Sequence, residues 1–142
     1  MIMKHDLAIR GGLVATATET FHADIGIRDG RIATLAGSIT DADDVIDATG
    51  RIVMPGGIEA HCHIAQESGM GVMTSDDYES GSISAAFGGN SCFVPFAAQK
   101  TGQSLASTIQ TYDDRATLKS VLDWSYHLCL LYTSPSPRDR YI

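Results

Sequence analysis

Two histidines separated by a single residue are the feature of this sequence best suited to chemistry. His61 and His63 lie in residues 55–63, which read PGGIEAHCH. Because side chains alternate along a β-strand, histidines at this spacing project from one face and can bind one metal ion together. Imidazole nitrogen suits zinc, iron, nickel or manganese. The pattern alone leaves two interpretations open: a metal site or a structural pair of histidines.

The neighbouring side chains are expected to divide between the two faces of this strand. Glu59 falls on the same face as His61 and His63, where it can support metal ligands without being one. Cys62 must point the other way, so we expect it to be a buried packing residue. His127, inside an apolar run, is predicted to be a hydrogen-bonded histidine of the core or of a layer behind the metal ligands, and not a third ligand.

Alternating strands and helices are predicted to position the pair. A strand over residues 58–63 is followed by a helix that starts at Ser75-Asp76-Asp77, where the Ser75 hydroxyl suits a cap and the two aspartates suit the first turn. This helix is expected to end near Phe87, before two glycines. A strand over 91–96, a helix from Ser104 and a strand over 124–130 complete the series. Such alternation is typical of a parallel sheet.

The helix that begins at Ser104 has apolar residues about one turn apart, which predicts a buried face. These are Leu105, Ile109, Tyr112 and Ala116.

The first third of the sequence predicts a different architecture, made of short strands and tight turns. Asp29-Gly30 is a strong hairpin signal, whereas the acidic segment 41–44 is predicted to be a solvated loop. About five closely spaced strands indicate part of a β-sandwich or barrel. The clearest alternating stretches are residues 6–10, 23–28, 31–35 and 45–47.

Composition excludes several functions. The chain has 142 residues, with 10 Lys and Arg against 17 Asp and Glu and a net charge of -7, so no basic patch remains for a nucleic-acid backbone. No apolar run reaches the roughly 18–20 residues of a membrane span, and the first residues lack the apolar core of a signal peptide. Three scattered cysteines do not form a disulfide framework. We therefore predict a cytoplasmic protein with no nucleic-acid or membrane partner.

Several segments resemble the amidohydrolase superfamily. Residues 23–33 (ADIGIRDGRIA), 45–50 (VIDATG) and 53–63 (VMPGGIEAHCH) are similar to the region up to its first barrel strand. Later segments resemble its dihydropyrimidinase/hydantoinase branch, and the resemblance covers about residues 5–128. The later segments are residues 74–82 (TSDDYESGS), 85–89 (AAFGG), 102–105 (GQSL) and 123–128 (DWSYHL).

This resemblance implies an α/β fold assembled from parts of two domains. Residues 1–53 would supply the N-terminal part of a composite β-sandwich. Residues 54–130 would supply about the first three strands of a metal-dependent (β/α)8 TIM-like barrel. Because eight strands need roughly 250 residues, the chain is expected to be the N-terminal fragment of a longer protein.

The resemblance also implies a metal centre. His61 and His63 would bind one ion of a two-metal site, with zinc as the expected metal. The family's other ligands, a carboxylated lysine, two histidines and an aspartate that moves protons, would lie beyond residue 142. Lys100 and Lys119 are therefore expected to be surface lysines. No catalytic residue is assigned to this chain, and the fragment alone is expected to be inactive.

The implied reaction is hydrolysis of the cyclic amide of a dihydropyrimidine or hydantoin to an N-carbamoyl amino acid, by a homotetramer. Residues 64–73 would lie at the substrate entrance, with Met70 and Met73 in hydrophobic loop packing. Two alternatives remain: another cyclic amidohydrolase, such as an allantoinase or dihydroorotase, or a non-catalytic scaffold relative. The scaffold relatives lack the metal histidines, which this chain retains.

The end of the chain follows none of these patterns. Residues 131–142 carry two prolines and no apolar period. Residues 129–139 resemble translated sequencing-adapter read-through, so a non-native origin is predicted for this tail.

Overall fold

The structure, a computed structural model, describes residues 4–68 and 70–130. The chain divides into two units, Met1–Pro55 and Gly56–Ile142. The tail of residues 131–142, with its predicted non-native origin, lies outside the described residues.

The first unit consists of two small sheets. One has the strand order β5-β4-β1-β6, with β1 antiparallel to β4 and parallel to β6; the other has the order β3-β2-β7. The strands are β1 (His5–Arg10), β2 (Leu13–Ala15), β3 (Thr20–His22), β4 (Asp24–Arg28), β5 (Arg31–Ala36), β6 (Ala42–Asp47) and β7 (Ile52–Val53).

Two aspartates explain how the turns of the first unit are held. Asp29 and Gly30 both have positive φ, 50° and 70°, as the predicted two-residue hairpin between β4 and β5 requires. The buried Asp24 accepts hydrogen bonds from the amides of Gly11 and Ile39, each at 2.9 Å. A buried carboxylate is tolerated here because both oxygens have a partner.

The first unit differs from the prediction in two places. It has seven strands in its described part, because β2, β3 and β7 have only two or three residues each and are too short to show a period. The acidic segment 41–44 is mostly strand, since β6 begins at Ala42 and pairs with β1. Its aspartates nevertheless remain exposed.

The second unit is a parallel sheet with two helices. Strand β9 lies between β8 on one side and β10 and β11 on the other, and all three pairings are parallel. The alternation predicted from the sequence is therefore confirmed. The elements are β8 (Gly57–Cys62), α1 (Tyr78–Phe87), β9 (Asn90–Ala98), α2 (Leu105–Ala116), β10 (Asp123–Trp124) and β11 (His127–Cys129).

The core of this unit lies between one face of β9 and the helices. Phe93 and Ala97 on β9 are fully buried, and the ring of Tyr78 on α1 lies 6.0 Å from that of Phe93. Tyr112 and Ala116 on α2 complete the contact.

A proline explains why the third strand is interrupted. The sequence predicts one strand over 124–130, but the structure has two short pieces. Trp124 pairs with Phe93 and His127 pairs with Phe96. The two residues between these strand pieces, 125 and 126, therefore lie beside Val94 and Pro95. Proline has no N–H to give to a neighbouring strand, and the ladder stops opposite it.

Ser104 is the N-cap of α2, as predicted. The N-cap of α1 is Asp77 and not the hydroxyl of Ser75, so α1 begins two residues later than predicted, because the Asp77 carboxylate accepts from the amides of Glu79 and Ser80. The buried face of α2 differs from the prediction, because Leu105 is 45% exposed while the polar Thr108 is fully buried. Thr108 can be buried because its hydroxyl donates to the Ser104 carbonyl at 3.0 Å.

Within the described residues, neither helix is long and apolar enough to cross a lipid bilayer.

The cap of α1 leads to a prediction of pH-dependent stability. Hydrogen bonding to the Ser80 amide and then to Lys119 lowers the pKa of Asp77 below its usual value of 3.8. A lowered carboxyl pKa stabilises the fold above the unfolded-state value and loses this effect as pH falls through the folded-state value. Asp77→Ala should therefore melt at a lower temperature than the wild type near neutral pH, with the gap closing in acid. Thermal melts at about pH 7 and about pH 2 test this.

Asp77→Asn is the matched control, because it keeps an acceptor oxygen for the helix amides and has no carboxyl group to titrate. If Asp77→Ala lowers the melting temperature equally at both pH values, the charge of Asp77 does not stabilise the helix.

Candidate metal centre

The two histidines lie together on the sheet face opposite the helices. Along β9, Phe93, Pro95 and Ala97 are buried, whereas Phe96 points to the other face and is half-buried. The Phe96 ring lies 4.7 Å from the His61 ring and 4.9 Å from the His63 ring, centroid to centroid. The two imidazoles are 5.7 Å apart and both are exposed. The structure thus places the predicted pair on one face, with Phe96 beneath both rings.

The hydrogen bonds of His63 suit a metal ligand. Its Nδ1 lies 2.6 Å from the Gln66 amide oxygen. An oxygen acceptor requires the hydrogen on Nδ1, which leaves the lone pair of Nε2 free. Metal-binding histidines usually have this arrangement, with one nitrogen on the metal and the other donating to an oxygen.

Glu59 supports the pair through the backbone. Its carboxylate accepts a hydrogen bond from the His61 amide at 2.9 Å. It therefore holds the strand at His61, as a supporting residue can do without binding metal. The prediction that Glu59 shares the face of the two histidines is wrong, because the register of β8 pairs Glu59 with the buried Phe93 on the side of the helices.

Cys62 lies on the opposite face, as predicted. It is half-buried and packs against the core of the second unit. Burial, with a smaller effect of Glu59, raises the pKa of its thiol to about 11. Because only the thiolate binds metals well, Cys62 is a packing residue at neutral pH.

The donor set fits one part of a metal site. Among residues 4–68 and 70–130, no group of three or more His, Cys, Asp or Glu side chains could hold an ion together. His61 and His63 offer two imidazole nitrogens, whereas a catalytic zinc usually has three protein ligands. The pair suits a divalent ion whose other ligands come from outside the described residues.

His127 is hydrogen-bonded, as predicted, but it is exposed, so the core position is wrong and only the alternative behind the metal ligands remains. Its Nε2 donates to the Ala60 carbonyl at 2.8 Å, and its ring lies 5.0 Å from Phe96. The apolar run around it suggested burial, but β11 places His127 on the open face of the sheet.

The two lysines are surface residues, as expected. Lys100 forms an ion pair with Glu67, and Lys119 pairs with Asp77 at 3.3 Å. Both lysine side chains are more than half exposed.

The loop after β8 was only partly predicted. Met70 is 88% exposed and Met73 is 47% exposed, so the prediction that these methionines pack in the loop is wrong. Polar contacts organise the loop instead: the Ser68 hydroxyl accepts from the amides of Met70 and Val72, at 3.3 and 3.2 Å. Serine can satisfy turn amides in this way without a hydrophobic partner.

Arg115 anchors the start of this loop and was missed by the sequence analysis. Its guanidinium donates to the Ala65 carbonyl at 2.6 Å and lies 4.9 Å from the centre of the Tyr112 ring. The loop, the end of β9 and α2 surround a cavity of about 550 Å³ that is lined by Gln66, Glu67, Gln103 and Arg115, among others. No local pattern reveals a contact between residues 50 positions apart.

Proteins similar to this chain include hydantoinases and dihydropyrimidinases. No family model matches the sequence. A D-hydantoinase of Geobacillus stearothermophilus is 42% identical over 123 residues, which are 86% of this chain and 26% of the relative. A dihydropyrimidinase of Arabidopsis thaliana is 34% identical over 126 residues, 87% of this chain and 23% of the relative.

Solved structures similar to this chain carry the same enzyme names. A D-hydantoinase superposes with a TM-score of 0.83 at 37% identity, over 89% of this chain and 27% of that protein. A dihydropyrimidinase from Brevibacillus agri superposes with a TM-score of 0.82 at 39% identity, over 90% and 27%. The chain spans about a quarter of the length of these relatives.

Proposed function

We propose that this chain, a homologue of the D-hydantoinases and dihydropyrimidinases over about a quarter of their length, forms the N-terminal part of a cyclic amidohydrolase. The longer protein is called the complete enzyme below. The observation that carries the proposal is the pair His61 and His63, which lie side by side over Phe96 on the open face of a parallel sheet. Similarity of sequence and of fold to enzymes with these names supports it.

The fold of the complete enzyme is proposed from the arrangement of the sheets. Strands β8, β9 and the pair β10 and β11 would be the first three of a (β/α)8 barrel, with residues 1–53 as part of a β-sandwich. Their parallel pairing supports this. In such barrels, active sites lie at the carboxyl ends of the strands, and His61 and His63 lie at that end of β8.

The chemistry of the site follows from its donors. We propose that the metal is zinc. A divalent metal bound here would supply a water of lowered pKa and would polarise the carbonyl of the amide to be cleaved. His61 and His63 would hold one of two such ions, and the Gln66 bond keeps Nε2 of His63 available for it. A carboxylated lysine and the remaining ligands would come from residues beyond this chain. Because its thiol pKa is raised, Cys62 would not bind the metal, and the two imidazoles would be the ligands from this strand.

The proposed reaction is ring opening of a dihydropyrimidine or a hydantoin to an N-carbamoyl amino acid. The names of the relatives favour this class over allantoin or dihydroorotate. The alternative of a non-catalytic scaffold is disfavoured because both histidines are present and exposed. We also propose a homotetramer in the cytoplasm, where the free thiols of Cys62, Cys92 and Cys129 would remain reduced.

A substrate panel tests the proposed reaction. The complete enzyme should hydrolyse dihydrouracil or a 5-substituted hydantoin and leave allantoin and dihydroorotate nearly untouched. Loss of activity on chelation and recovery with added zinc should accompany this, because the reaction depends on a metal. Allantoin as the best substrate, or full activity in the chelated enzyme, would contradict the proposal.

A further inference from the structure

Strand β8 contains a bulge next to the metal-binding pair. Glu59 pairs with Phe93 and Cys62 pairs with Pro95. Two residues of β8, Ala60 and His61, therefore face one residue of β9. A bulge of this kind bends the strand and changes the direction of a side chain, and it leaves backbone groups out of the ladder.

Two side chains satisfy the backbone groups at the bulge. The His61 amide donates to the Glu59 carboxylate at 2.9 Å, within the same strand. The Ala60 carbonyl accepts from Nε2 of His127 at 2.8 Å, from a residue 67 positions later in the sequence. One bond is local, whereas the other crosses the sheet from β11 to β8.

His127 reaches Ala60 across Phe96. The His127 ring lies 5.0 Å from the Phe96 ring, which also contacts His61 and His63. The four rings form one layer on the open face of the sheet. The bond to a carbonyl oxygen places the hydrogen of His127 on Nε2, so this nitrogen acts as a donor and not as a metal ligand.

We propose that His127 is a positioning residue that, together with Glu59, fixes the β8 bulge and so the direction of His61. This inference rests on the proposed function, since it assigns His61 to a metal. Without the His127 donor the Ala60 carbonyl loses this hydrogen bond, and the peptide between Ala60 and His61 is held less firmly. A ligand on a mobile peptide binds metal less tightly than one held in place.

The test uses His127→Leu, which removes the donor but keeps an apolar side chain over Phe96, and His127→Gln, which restores an N–H. Ser125→Ala, at an exposed position two residues before His127, is the matched control. Cobalt is titrated into the metal-depleted complete enzyme, and its visible absorption reports the coordination geometry. Amide hydrogen exchange at residues 59–63 is followed without metal.

We expect His127→Leu to weaken cobalt binding by about tenfold, the lower end of the effect of outer partners on metal affinity. Its cobalt spectrum should change and its amides at 59–63 should exchange faster. His127→Gln should restore much of the affinity and of the exchange protection, and Ser125→Ala should match the wild type. Unchanged affinity, spectrum and exchange in His127→Leu would overturn the inference, as would failure of His127→Gln to restore any of them in a folded protein.

A parallel titration of His61→Ala distinguishes the positioning role of His127 from the assignment of His61 to the metal. If His61→Ala loses metal and His127→Leu does not, the positioning role fails and the metal site stands. If His61→Ala binds cobalt like the wild type, the metal assignment itself fails. Faster exchange in His127→Leu would then still show that the bond holds the bulge, but the inference about metal would be overturned.

Discussion

Replacing either histidine of the pair by alanine should nearly abolish hydrolysis by the complete enzyme. His61→Ala and His63→Ala each remove an imidazole nitrogen that no neighbouring side chain can replace, because the thiol of Cys62 is directed to the other face. A loss of at least about a thousandfold in kcat/KM is expected, which corresponds to about 4 kcal/mol of transition-state stabilisation. Initial rates with dihydrouracil or a hydantoin measure this.

His22→Ala is the matched control for these variants. His22 is also an exposed histidine on a strand, but it lies in the first unit and is not part of the pair. It should retain wild-type rates. Wild-type turnover in His61→Ala or His63→Ala would reject the assignment of the pair to catalysis.

Removal of the central aromatic ring of the second unit should cause the largest loss of stability. Phe93 is fully buried between β9 and the helices, against Tyr78. Phe93→Ala removes its apolar contacts and leaves a cavity, which costs roughly 3–5 kcal/mol. Since a domain is stable by only about 5–15 kcal/mol, this change should leave the unit marginally folded. Urea denaturation followed by circular dichroism measures the free energy of unfolding.

Phe87→Ala provides the comparison on the same type of residue. Phe87 is 91% exposed at the end of α1, and its replacement should change the free energy of unfolding by no more than about 0.5 kcal/mol. A Phe93→Ala protein as stable as Phe87→Ala would show that the core has been misplaced.

Local chemistry made much of the second unit predictable. Asp77 and Ser104 mark helix starts because short polar side chains satisfy free amides in any protein. The shared face of His61 and His63 follows from the alternation of a strand. These features depend on residues a few positions apart. The structure has Ser104 and the histidine pair at the predicted places, whereas the cap of α1 is Asp77, two residues after the predicted Ser75.

Features that depend on distant residues were not predictable. Pro95 interrupts the third strand only because the register places residues 125 and 126 beside it. The bonds from Arg115 to Ala65 and from His127 to Ala60 join positions 50 and 67 residues apart. No period or motif in the sequence encodes such a pairing, which is created when the sheet forms.

The most direct test of the account is a metal count on the complete enzyme. The metal-depleted wild type and the double variant His61→Ala with His63→Ala are titrated with zinc, and bound metal is measured after removal of the excess. We predict two tightly bound ions per subunit in the wild type. The folded double variant should keep at most one. Two ions bound with wild-type affinity in the double variant would contradict the claim that this strand holds the metal.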